Sequence, residues 1–85
     1  MFEIEFTPSG QKDLEKLSRD LQKRIIVKLK FFAQQENPVS FSKPLVKLPP
    51  ATHRFRVGDY RIAFFIQGKI IYINRVRHRR DVYLT

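Results

Sequence analysis

The sequence predicts an α+β domain, an antiparallel sheet with a helical hairpin packed on one face. Three observations carry this. A short run of strict alternation, "FEIEF", stands at residues 2–6. Apolar residues at helical spacing follow it. From residue 53 the period returns to two, in three runs separated by glycine-bearing turns. The order is β-α-α-β-β-β, and helices on one face leave the other face to solvent.

Each element follows from local chemistry. In "FEIEF", Phe2, Ile4 and Phe6 point one way and Glu3 and Glu5 the other, which is a half-buried strand. Thr7-Pro8-Ser9 breaks it, and Thr7 or Ser9 can cap a helix. Leu14, Leu17, Leu21, Ile25, Leu29 and Phe32 then recur every three or four residues. Ser18 and Asp20 are good N-caps inside that stripe, so it divides into a short helix near 10–17 and a longer one near 19–35. Lys12, Lys16, Lys23, Lys28 and Lys30 decorate a solvated helix face. Asn37-Pro38 ends the second helix, because proline disfavours helix in the residue before it. Four prolines within 38–52 predict an irregular connection, with Leu45, Val46 and Leu48 pinning it to the core.

Three strands close the domain. In "HRFRV" (53–57), Phe55 and Val57 alternate with Arg54 and Arg56. Gly58-Asp59 is a tight turn. In "YRIAFFI" (60–66), Ile62, Phe64 and Ile66 share one face, and Arg61, Ala63 and Phe65 the other. Gln67-Gly68 turns into "KIIYINRV" (69–76). Because Phe55 and Val57 need the core, Arg54 and Arg56 take the open face. Simple register at the 58–59 turn places Arg61 beside them.

Composition narrows the function. Residues 1–85 form a single domain that buries about 60–65% of its unfolded surface, which leaves little room for an internal ligand cavity. There is no cysteine, so disulfides, thiolate catalysis and zinc-thiolate sites are absent. With no clustered acidic or histidine ligands either, neither a metal nor a cofactor is expected. No apolar run approaches the roughly 20 residues of a membrane span, and the acidic N-terminus does not suit a signal peptide. A cytoplasmic location fits. The net charge is +9, and seven of the nine arginines fall within 54–80. Arginine offers a planar fork of donors that matches phosphate and does not deprotonate in proteins. A polyanion partner is expected.

The stretch "HRFRVGDYRIAFFIQGKIIYINRVRHRRDVY" resembles the C-terminal half of the RelE/ParE toxin superfamily of type II toxin-antitoxin systems. "FEIEFTPSGQKDLEKLSRDLQKRI" and "NP…KPL" resemble its opening strand, helical hairpin and linker, so the likeness covers nearly the whole chain. It implies a cytoplasmic toxin neutralised by a cognate antitoxin, the pair together binding operator DNA. The superfamily holds RelE-like enzymes, which cleave messenger RNA in the ribosomal A site without a metal, and ParE-like poisons of DNA gyrase. The resemblance carries RelE-like site roles onto Arg54, Arg56, Arg61, Arg79 and Tyr83, which favours the nuclease. A gyrase poison, or a non-catalytic nucleic-acid-binding module, is the alternative.

The departures from that pattern matter. Arg54 and Arg56 stand where lysines are common, and Arg77 stands where glycine is common. The chain ends two residues after Tyr83. Arginine practically cannot act as a general base, so the base stays open. Attack by a ribose 2′-OH needs a base, cations at the phosphate and an acid for the leaving oxygen. Arg61 is the expected phosphate clamp, with Arg54 and Arg56 positioning the backbone and Arg79 on the leaving-group side. His78 is a candidate general acid or base. Tyr83 can stack on a base, hydrogen-bond the phosphate or pin the chain end. His53, Arg77 and Arg80 are rim candidates for RNA binding. The run "VRHRRDVYLT" then forms one wall of a site, with Val76, Val82 and Leu84 as apolar anchors and Asp81 pairing with an arginine.

Overall fold

The computed structural model describes residues 1–80. Strand β1 (Glu3–Phe6) leads into α1 (Pro8–Glu15) and α2 (Arg19–Ala33). A 3-10 turn (Pro38–Phe41) and the two-residue strand β2 (Lys43–Pro44) follow. Strands β3 (His53–Val57), β4 (Tyr60–Gln67) and β5 (Ile70–His78) complete the fold. The sheet order is β1-β5-β4-β3-β2. The meander is antiparallel as expected, whereas β1 joins β5 in parallel. No helix among the described residues is long and apolar enough to cross a membrane.

The helices begin where the caps stand. Thr7 accepts from the Gly10 N–H at 3.1 Å and Ser18 from the Leu21 N–H at 3.2 Å. Pro8 lies in the first turn of α1, where its missing N–H costs nothing. That moves the helix start ahead of residue 10. The turns are Gly58-Asp59 and Gly68-Lys69. Each glycine has positive φ, 60° and 59°, which a side chain resists.

The main core lies between the helices and the sheet. Leu14, Ile25, Leu29 and Phe32 meet Phe55, Ile62, Phe64, Ile71, Ile73 and Val76 there. Phe32, Phe55 and Phe64 stack in a column, with ring centroids 4.2 and 4.1 Å apart. The opposite face is not wholly open. Leu45 and Ala51 from the connecting segment bury Ala63, with Leu48 beside them. Val46 is not part of that anchor, being 83% exposed.

Strand β5 outruns its neighbour. β1 pairs only with residues 70–73, and α1 takes over the edge beyond. Thr7 donates its N–H to the Ile73 carbonyl and its hydroxyl to the Asn74 carbonyl. The Asp13 carboxylate accepts from the Val76 N–H at 2.9 Å and from the Arg75 guanidinium at 2.9 and 3.3 Å. A side chain thus replaces a strand as the partner of a buried N–H. Burial would raise the Asp13 carboxyl's pKa. The Arg75 and Val76 hydrogen bonds, with the charges of Arg75 and Arg77, outweigh that and hold it below the usual range. Gly10 lets α1 approach this closely, since a Cβ there would run into the Ile73 carbonyl.

Two outcomes are expected. Gly10→Ala should cost about 1–3 kcal/mol in denaturant unfolding, because the obstacle is backbone and cannot rotate away. Asp13→Asn should destabilise at neutral pH. A depressed carboxyl contributes fully above its unfolded value of about 3.9 and stops contributing as pH falls through its folded value. The gap between wild type and Asp13→Asn should therefore close on acidification below about pH 4. A gap constant from pH 7 to 2.5 would contradict the assignment.

Candidate nucleic-acid interface

The sheet register places basic residues in rows. Arg56 of β3 pairs with Arg61 of β4, and Arg61 pairs with Arg77 of β5. The three stand side by side across three strands, on the face away from the helices. A second row runs Lys43, Arg54, Ala63, Arg75. Among the described residues, no carboxylate occupies either row, and the Asp13 carboxylate of α1 reaches Arg75 from outside it. Like charges directly opposite one another are destabilising. Such a row is compensated when a polyanion lies across it.

A β-bulge decides which residues of β5 join the row. Ala63 pairs with Arg75 but Phe64 with Ile73, so Asn74 is the extra residue. Ile71 and Ile73 face the core before the bulge, and Val76 faces it after. Unbroken alternation from Ile73 would put Val76 opposite Arg61, His78 on the arginine face and Arg77 on the core side. The bulge exchanges them. Arg77 pairs with Arg61, while His78 pairs with Tyr60 on the helix side, their rings edge to face at 5.3 Å.

The other candidates sort by the same rule. Arg54 shares the arginine face and donates to the Pro44 carbonyl at 3.3 Å. Arg56 donates to the Gly58 carbonyl at 3.4 Å, which steadies an exposed side chain. His53 lies on the core side, stacked against Phe64 at 5.9 Å, with Nδ1 2.9 Å from the Thr52 hydroxyl. It does not meet the arginines. Arg79 lies past the end of β5, where its N–H donates to the Asp59 carbonyl at 2.7 Å and its guanidinium stands 3.8 Å from the Asp59 carboxylate. Both side chains are exposed, so that ion pair contributes little. Arg80 is exposed, and its N–H donates to His78 Nδ1 at 3.1 Å. With Nδ1 accepting, neutral His78 carries its hydrogen on Nε2. Tyr83, Asp81, Val82 and Leu84 lie outside the described residues.

Two surface clefts touch Arg56. A shallow one of about 150 Å³ is lined by Phe41, Ser42, Lys43, Arg54, Arg56 and Arg61. The aromatic ring beside four cations can offer a base a stacking surface while the cations take phosphates. Phe41, Lys43 and Arg75 were not apparent in the sequence. Phe41 and Lys43 sit in the proline-rich segment, and Arg75 belongs to this face only because of the bulge. A larger groove of about 780 Å³ runs between α2 and the β3–β4 turn, lined by Lys23, Arg24, Val27, Lys28, Arg56 and Val57, among others.

Comparison with known proteins agrees with this architecture. Residues 4–83 match the family model described as ParE toxin of type II toxin-antitoxin system, parDE. Toxin RelE3 of Methanocaldococcus jannaschii is 32% identical over 81 residues, covering 92% of this chain and 91% of its own. Among solved structures, the RelBE2 toxin-antitoxin complex of Mycobacterium tuberculosis contains a similar chain. It has a TM-score of 0.73 at 29% identity, covering 94% of this chain and 93% of that one. In the RelB-RelE antitoxin-toxin complex of Methanococcus jannaschii the values are 0.66 and 26%, with 92% and 93% covered. Fold, family model and relatives converge: the chain belongs to the RelE/ParE superfamily of type II toxin-antitoxin toxins.

Proposed function

We propose that the chain is an endoribonuclease acting on messenger RNA in the ribosomal A site, without a metal, by attack of a ribose 2′-OH on the adjacent phosphate. The observation that carries this reading is the row Arg56, Arg61, Arg77. A relative named Toxin RelE3 supports it. In the step, the 2′-oxygen bonds to phosphorus and the bond from phosphorus to the 5′-oxygen breaks. The products are a 2′,3′-cyclic phosphate and a 5′-hydroxyl. Negative charge grows on the phosphate oxygens in the transition state, and fixed guanidinium groups stabilise it there. Arg61, central in the row, is the clamp on the scissile phosphate. Arg56 and Arg77 flank it, and Arg54 holds the strand on the same face. Arginine stays protonated, so none of these accepts the 2′-OH proton. His78 lies across the sheet from the row. Proton transfer therefore falls to Tyr83 or to groups of the ribosome, with Arg79 adding charge at the sheet end. The ParE-toxin match keeps a gyrase poison as the second reading.

The partner that restrains the toxin is a cognate antitoxin, and toxin-antitoxin complexes are among the structural neighbours. We place an acidic amphipathic segment of it in the groove between α2 and the β3–β4 turn. Val27, 68% exposed, offers the apolar contact, and Lys23, Arg24 and Lys28 offer the charge. Arg56 lines both groove and row, so a segment seated there also covers one end of the site. The pair, with its basic charge partly neutralised, is expected to bind operator DNA.

Inducing the chain alone and mapping transcript ends separates the two activities. Cuts within translated codons, ending in 5′-hydroxyls, are expected. Double-strand DNA breaks with intact messages would establish the gyrase poison instead. Arg61→Gln should lower the single-turnover cleavage rate by about 10²–10³. Arg56→Gln, at an exposed position, should leave stability within about 0.5 kcal/mol while slowing cleavage. Val27→Glu should weaken inhibition by the antitoxin about tenfold or more without changing cleavage. Unchanged inhibition would put the antitoxin elsewhere.

A further inference from the structure

On the helix side of β5, behind the arginine row, lies a cleft that the proposed reaction does not use. Its volume is about 390 Å³, and Asp13, Lys16, Leu17, Tyr60, Arg75, Val76, Arg77 and His78 line it. That volume is within the range of small-ligand sites, about 300–1,000 Å³. The charges do not balance. Asp13 is already committed to Arg75 and the Val76 N–H. Lys16 is exposed at the end of α1, and Arg77 also belongs to the row on the other face. His78 presents an Nε2 hydrogen, because its Nδ1 accepts from the Arg80 N–H. Tyr60 meets the His78 ring edge to face, so two aromatic rings stand among cations and donors. Rings for a base beside cations for a phosphate are what a nucleotide needs.

The edge of the sheet allows a strand to reach it. β1 stops pairing at Ile73, and among the described residues the β5 edge beyond that point is met by the Thr7 hydroxyl and the Asp13 carboxylate. Arg77 lines the cleft and stands in the row, which makes a basic path around this edge. We propose that the cleft is a second subsite, taking a nucleotide and its phosphodiester from the same single-stranded RNA whose scissile phosphate lies on the arginine row. Lys16 and Arg77 contact the phosphate, and Tyr60 and His78 contact the base. His78 is thus a binding residue, acting at a distance from the cleaved bond. The inference rests on the RNA reading of the row, though not on cleavage.

The test measures binding of uncleavable 2′-O-methyl RNA to the full chain. A trimer spans the row alone and a nine-mer reaches both subsites. Lys16→Ala and His78→Ala should each weaken nine-mer binding about three- to tenfold. Lys16→Ala should also reduce the salt slope by about 0.7, the value for one lost single-strand phosphate contact. Trimer binding should be unchanged in both. Amide resonances of Lys16 and Arg77 should shift with the nine-mer, and inorganic phosphate should compete for those shifts. Wild-type nine-mer affinity and slope in both variants would overturn the subsite. So would shifts with inorganic phosphate and none with the nine-mer, which would mean a small-anion site. The row is judged separately: trimer binding untouched by Arg61→Gln would sink the row reading, while the Lys16 and His78 variants still decide the cleft.

Discussion

The Asp13 carboxylate is the interaction on which the rest of the structure depends. A strand that runs past its neighbour exposes backbone donors, and a buried unpaired N–H costs about 1–3 kcal/mol. β5 does run past β1, and Asp13 satisfies the Val76 N–H while also fixing the Arg75 guanidinium. That contact, with Thr7 and Gly10, seats α1 against the bulge at Asn74. The seat fixes the phase of the last residues of β5, and the phase decides that Arg77 stands on the arginine face and His78 on the helix side.

The row itself runs against stability. Three arginines stand in direct cross-strand register, where like charges destabilise, and the adjacent row adds Lys43 and Arg54, while Arg75 is paired with Asp13. The stacked Phe32, Phe55 and Phe64 on the other side of the sheet contribute the packing that tolerates this. Each such ring, if truncated, would cost about 3–5 kcal/mol. Local rules broken on a rigid scaffold mark functional sites. Here the broken rule is the alternation of charge across the strands, and the proposed phosphodiester ligand is of the class that would answer it.

Much of this was legible in sequence. Strict alternation around Phe55 assigned Arg54 and Arg56 to one face, and the two-residue turn at Gly58-Asp59 carried Arg61 to join them. Of the cap candidates, Thr7 rather than Ser9 and Ser18 rather than Asp20 start the two helices. The parallel pairing of β1 with β5 was not legible, because alternation gives faces and not partners. Nor was the exchange of Arg77 and His78, although a trace of it is present. The apolar spacing changes from two to three between Ile73 and Val76, which is what a bulge produces in a half-buried strand. Phe41, Lys43 and the burial of Ala63 under Leu45 depend on how a proline-rich segment folds back, and no periodicity encodes that.

The most direct test of the central claim is a cryo-EM structure of the chain on a ribosome whose A-site message carries 2′-O-methyl groups to block cleavage. The message backbone is expected to lie on the face away from the helices, with one phosphate against Arg61 and its neighbours against Arg56 and Arg77. A message seated only on the helix side, with the arginine row turned to solvent or to ribosomal protein, would contradict it.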